Sequence, residues 1–146
     1  MTSILALLLS IPALAADRTE IAIRRADKSL ATFKVELATD YDSRAKGLMF
    51  RKKLAKNAGM LFIYEEPGSR AFWMKDTLIP LDMLFFTAKG DLAYIHADAT
   101  PGDLTAIGPD RSDICAILEI AGGEAKRQNI KKGDKLVLTK SSACLP

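Results

Sequence analysis

The chain has 146 residues, 49% hydrophobic and 27% charged, with six prolines and nine glycines. That composition is too apolar for a disordered tail, lacks the period of a fibre and leaves room for one hydrophobic core. The balance of 21 Lys and Arg against 18 Asp and Glu, a net charge of +3, is too small to suggest a nucleic-acid footprint.

Residues 1–16 carry no charged side chain, and residues 4–14 are almost wholly apolar. This run has the length of a signal-peptide core and is too short to span a bilayer. Ala13-Leu14-Ala15 supplies a small-x-small cleavage pattern, so residues 1–15 read as a signal peptide and residues 16–146 as a single mature domain. No other stretch approaches the roughly 20 apolar residues of a membrane helix, so no transmembrane segment is expected in the mature chain. The address is therefore periplasmic or extracellular. Outside the cytoplasm an even number of thiols tends to oxidise, which predicts a Cys115–Cys144 disulfide. The alternative is a buried Cys115 beside a loose Cys144 near a frayed terminus.

Along the mature chain, residues 21–23 and 32–37 alternate apolar with polar side chains around a turn at Asp27-Lys28-Ser29, which predicts a hairpin. Thr39 stands three residues before Asp42 and predicts an N-cap for a short helix that Gly47 terminates. Leu48-Met49-Phe50 is expected to drop into the core, followed by a basic loop holding Arg51, Lys52, Lys53 and Lys56. Residues 60–64 read as a buried strand and residues 65–69 as a turn. Residues 71–75 and 81–87 read as strands broken by Pro80, which marks an edge or a bend. Residues 92–97 form another strand, 98–109 a long loop and 114–120 a further strand. A short helix over 123–128 and a turn at Gly133-Asp134 lead into a last strand over 136–139. Eight short strands with two short helices predict a mainly β (α+β) fold, a compact single-domain barrel or sandwich.

Three segments in order then carry a resemblance: residues 44–51 (Arg-Ala-Lys-Gly-Leu-Met-Phe-Arg), 59–62 (Gly-Met-Leu-Phe) and 72–82 (Phe-Trp-Met-Lys-Asp-Thr-Leu-Ile-Pro-Leu-Asp). They closely resemble the DUF192 family of small, often exported proteins of unknown function. Leu118-Glu119-Ile120 through Gly133-Asp134-Lys135-Leu136 fits its C-terminal pattern, so the resemblance covers residues 32–139. It brings no catalytic residues with it. One position departs from the pattern, since Asp76 stands where the family usually has Asn.

In an extended segment Trp73 and Lys75 share one face while Phe72 and Met74 share the other. Asp82 alternates with Leu84 and Phe86, so an inward apolar face would bury its carboxylate, which costs several kcal/mol unless a cation or several donors meet it. Arg44, Arg51 and Lys75 are the candidate cations. The sequence reading places Arg44, Arg51, Trp73, Lys75 and Asp82 in a pocket for a small polar or anionic ligand or a protein partner, without catalysis. A structural ion pair that binds nothing is the plainer alternative. A small hydrolase with Asp76 and Asp82 as an acid/base pair is another, although six residues of strand would hold those carboxyls roughly 20 Å apart. A third is a structural accessory of the cell envelope with an exposed apolar patch. His96 alternates with Tyr94 and Asp98 and reads as solvent-facing. Two cysteines and one histidine make no metal site, and no cofactor motif is present.

Overall fold

The computed structural model describes residues 18–140 and 144–145. The expected signal peptide and its cleavage point lie outside the described residues. The elements are β1 (Arg18–Arg24), β2 (Leu30–Ala38), α1 (Tyr41–Lys46), β3 (Ala58–Gly68), β4 (Leu81–Thr87), β5 (Leu92–Ala99), β6 (Ile114–Ala121), α2 (Glu124–Arg127) and β7 (Lys135–Leu138). All seven strands join one sheet in the order β5-β4-β6-β3-β2-β1-β7. Every pairing is antiparallel except β2 with β3. The sheet curls until its two edge strands touch at one corner. There Leu92 N donates to the Asp134 carbonyl at 2.8 Å and Leu136 N to the Gly90 carbonyl at 2.9 Å. The result is a mainly β half-barrel with two short helices.

Alternation sends neighbouring side chains of each central strand to two separate cores. Inside the curl lie Ile21, Ile23, Phe33, Val35, Leu61, Leu84, Phe86, Leu118 and Ile120. On the outer face Met60, Phe62, Met83, Phe85 and Ile117 are covered by Leu48, Met74 and Ile107 from the connecting loops. Because β3, β4 and β6 are buried on both faces, they appear in the sequence as nearly unbroken apolar runs. Cys115, at the start of β6, is bonded to Cys144 with a Cα–Cα distance of 5.7 Å, which ties the C-terminal tail to the inner core.

Several local expectations change. The N-cap of α1 is Asp40, which accepts from Ser43 N at 2.9 Å and completes a capping box with the Ser43 hydroxyl; Thr39 stays outside the helix. Residues 65–68 form no turn, because β3 continues to Gly68 through an irregularity in its pairing with β6. Pro80 precedes a central strand and not an edge: β4 lies between β5 and β6, and the Pro80 carbonyl accepts from Gly122 N at 2.9 Å. Among the described residues there are seven strands and not eight. Residues 71–75 make one isolated bridge, Phe72 with Ile107, and otherwise run as irregular chain. Phe50 is 64% exposed and not in the core, although Leu48 is buried as expected.

A candidate cleft on the outer face of the sheet

Asp82 is fully buried, and its partners are backbone amides in place of the expected cations. Its Oδ1 accepts from Asp98 N at 2.9 Å and Gly123 N at 3.0 Å, and its Oδ2 accepts from Ala125 N at 2.8 Å. Asp98 and Gly123 stand at φ of 50° and 80°, the left-handed conformation in which their N–H groups turn toward the carboxylate. Asp82 thus holds β5 and the start of α2 against β4. Arg51 is engaged elsewhere, in a two-pronged pair with Glu36 of β2 at 2.6 Å on both oxygens. That contact keeps the Glu36 carboxyl below its ordinary range. Asp76 is exposed while Asp82 is sealed on the inner side, so the fold does not assemble the acid/base pair.

The remaining predicted residues gather on the opposite face of the sheet. Phe72 is pinned to Ile107 by reciprocal backbone hydrogen bonds of 2.8 Å and wedges edge-on between Phe62 and Phe85, with ring centroids at 4.9 and 6.0 Å. Its neighbour Trp73 therefore points outward, 49% exposed, with the Lys75 ammonium 5.4 Å from its ring. The predicted alternation holds here without a strand. Phe50 and Asp76, both in the left-handed region at φ of 63° and 50°, are joined by a 2.8 Å backbone hydrogen bond that ties the loop after α1 to the loop after Trp73. Asn and Asp are the non-glycine residues that best tolerate this conformation, so the Asn-to-Asp departure at position 76 preserves a backbone requirement.

Between these two loops opens a cleft of about 220 Å³, lined by α1 and Gly47 on one side, Phe72, Trp73 and Thr77 on the other, and Phe62, Tyr64 and Glu119 along its floor. Gly47 is needed at φ of 49°, where a side chain would also press on the Phe62 ring at 3.2 Å. Arg44 reaches over the cleft from α1. Its Nη1 donates to the carbonyls of Thr39 at 2.7 Å and Ile63 at 3.0 Å, and its guanidinium lies 4.9 Å from the Tyr64 ring centroid. Arg70 stacks on the same ring at 3.9 Å.

Glu119 is the residue that sequence reasoning missed. It sits on β6 between Met60 of β3 and Met83 of β4, is 4% exposed, and its side-chain carboxyl makes no hydrogen bond among the described residues. Burial alone pushes its carboxyl up to about 8, so it is a neutral acid at pH 7. Burial also raises the neighbouring Tyr64 hydroxyl, against the pull of Arg70 and Arg44. The signal was present: Glu119 is a lone acid in a wholly apolar run, the same feature that singled out Asp82. Tyr94 and His96 meet through a 3.4 Å contact on β5, away from the cleft lining. Among the described residues no cluster of His, Cys, Asp or Glu could hold a metal ion, and no helix is long and apolar enough to cross a membrane.

These features define a small mainly β domain with one buried, unpartnered acid opening into an outer-face cleft. The chain belongs to the DUF192 family, described as "Uncharacterized ACR", whose pattern matches residues 22–138. It is similar to a crystal structure of a "putative transcription regulator" from Sinorhizobium meliloti 1021, with 34% identity and a TM-score of 0.80 over 85% of this chain and 95% of that one. It is also similar to a protein of unknown function from Novosphingobium aromaticivorans DSM 12444, with 36% identity and a TM-score of 0.79 over 86% of this chain and 89% of that one. No curated protein matches it.

Proposed function

We propose that this is an exported, non-catalytic domain whose outer-face cleft binds a small polar or anionic ligand. The observation that carries the reading is Glu119, a buried acid with no protein partner at the floor of an open cleft. Burying such a group is costly, and strongly perturbed acids in clefts concentrate at functional sites. Arg44 and Trp73 supply charge and a flat apolar surface, while Thr77 and Tyr64 supply hydroxyls. Asp82 and Arg51 support the fold, and Lys75 borders the cleft through Trp73. Export is supported by the N-terminal apolar run and by the disulfide.

The test is thermal denaturation of the mature domain with a panel of anions, sugars and short peptides. A true ligand raises stability saturably, by about 2.7 kcal/mol at a hundredfold excess over its dissociation constant. Absence of any shift across the panel removes the support for ligand binding. A protein partner is the second reading, favoured by Phe50, Trp73, Leu78 and Leu104, large apolar side chains left exposed on the loops of the outer face. Replacing Phe50 and Leu104 with Ser should then abolish partner capture while leaving the thermal midpoint nearly unchanged.

A further inference from the structure

Resting on the ligand-binding reading above, we infer that the cleft takes an organic carboxylate with a small apolar body, gripped by the free edge of the Arg44 guanidinium and by a hydrogen bond from the Glu119 carboxylic acid. Arg44 provides the first part of the grip. Its Nη1 is spent on the Thr39 and Ile63 carbonyls, whereas its Nε and Nη2 have no hydrogen-bond partner among the described residues. Those two N–H groups are parallel and spaced for the two oxygens of one carboxylate. Fixing the other end of the guanidinium on main-chain carbonyls removes most of the freedom that binding would otherwise have to freeze.

Glu119 provides the second part. A neutral carboxylic acid has an O–H to donate, and this one has no acceptor among the described residues. An incoming carboxylate is such an acceptor, and acid-to-carboxylate bonds are short and strong. The titratable and charged groups that share the cleft lining with Glu119 are Arg44 and Lys46 from α1 and Tyr64 from β3, itself covered by Arg70. Its neighbours across the sheet are Met60 and Met83, and the loop opposite contributes Phe72, Trp73 and Thr77. Among the described residues no second acid lines the cleft, so an anion meets no carboxylate there while Glu119 keeps its proton.

The walls provide the third part. Phe62, Phe72 and Trp73 offer apolar surface to a ligand body, and about 220 Å³ is smaller than the ~300–1,000 Å³ of drug-sized sites. One ring or a short acyl chain fits that space. Sulfate and phosphate carry no apolar part and would leave those walls unpaired.

Binding of an anion favours the protonated form of Glu119, so affinity should be flat below the pH at which Glu119 ionises and fall above it. With the acid ionising near 8, the decline is on the order of tenfold per pH unit beyond that point. The experiment is calorimetric titration of the mature domain with benzoate, benzamide and sulfate, from about pH 6 to about pH 9.5. Benzoate should bind on the order of tenfold or more tighter than benzamide or sulfate, and its affinity, unlike that of neutral benzamide, should fall at high pH. In Glu119→Gln the amide still donates, so benzoate binding should persist and lose its pH dependence. Arg44→Lys, which keeps the charge but removes the fork, should weaken benzoate on the order of tenfold or more. Equal binding of benzamide and benzoate, or a pH slope that survives in Glu119→Gln, overturns the inference. If sugars or peptides of the wider panel bind but benzoate does not, the inference falls and the ligand-binding reading stands. If nothing binds, both fall. The wild-type pH profile requires no variant and decides the matter even if a substitution impairs folding.

Discussion

Two acids in this chain occupy apolar strands, and they resolve the cost of burial in opposite ways. Asp82 collects three backbone N–H donors, whereas Glu119 collects none and keeps its proton. The second solution links stability to pH. The folded state holds the Glu119 proton up to about 8, while an ordinary glutamate releases it at 4.5. Its stabilisation is therefore complete below pH 4.5, fades as pH rises through the interval and is gone above 8. Urea denaturation across this range should show wild type losing stability relative to Glu119→Gln at up to about 1.4 kcal/mol per pH unit, and the difference should level off at higher pH. Glu36 and Glu124, both held below the ordinary value, lose their contribution as pH falls toward acid, and they do so equally in both proteins. Asp76 is a residue of backbone conformation. Asp76→Asn should leave the denaturation midpoint within about 0.5 kcal/mol of wild type, whereas Asp76→Val, β-branched at φ of 50°, should cost about 1–3 kcal/mol.

Individual elements are held by contacts that cross the sheet. Helix α2 has four residues and no side-chain cap of its own, so its N-terminal N–H groups depend on Asp82 of β4. Asp82→Ala strands three backbone donors, that of Ala125 fully buried, and should destabilise the domain by about 3 kcal/mol, measured by urea denaturation; Asp82→Asn should recover only part, since its amide nitrogen cannot accept. The wall of the cleft depends in the same way on Gly108, where an added Cβ would lie 2.2 Å from the Arg70 carbonyl oxygen. Much of this level was legible in the sequence. Hairpin β1–β2, the helix ended by Gly47, and strands β4, β5 and β6 all follow from periodicity and turn residues. Residues 71–75 misled because Phe72 and Met74 alternate with Trp73 and Lys75 as a strand would, yet that segment makes a single bridge, to Ile107, and Met74 bonds to the loop at Gly102 and Asp103 in place of a strand. Side-chain pattern records which face is buried and says nothing about whether a neighbouring strand is available.

At the scale of the molecule, the half-barrel has two cores on opposite sides of one sheet, and a single disulfide fastens the tail to the inner one. Reduction should lower stability by roughly 3–4 kcal/mol in the chain-entropy picture without dismantling the sheet, checked by denaturation and circular dichroism with and without a reductant. The split between the cores also explains why five predicted site residues did not assemble into one pocket. Asp82 faces inward, Arg44 and Trp73 lie on the outer face, and Arg51 is occupied by Glu36 on β2. From the sequence alone came the mainly β class, the apolar strands and the expectation that a buried acid needs donors, because hydrophobic pattern and turn chemistry act over a few residues. Tertiary structure decided which acid is sealed and which is open. The partners of Asp82 are main-chain amides 16 to 43 residues away, groups that every residue but proline carries and that no letter of the sequence can single out.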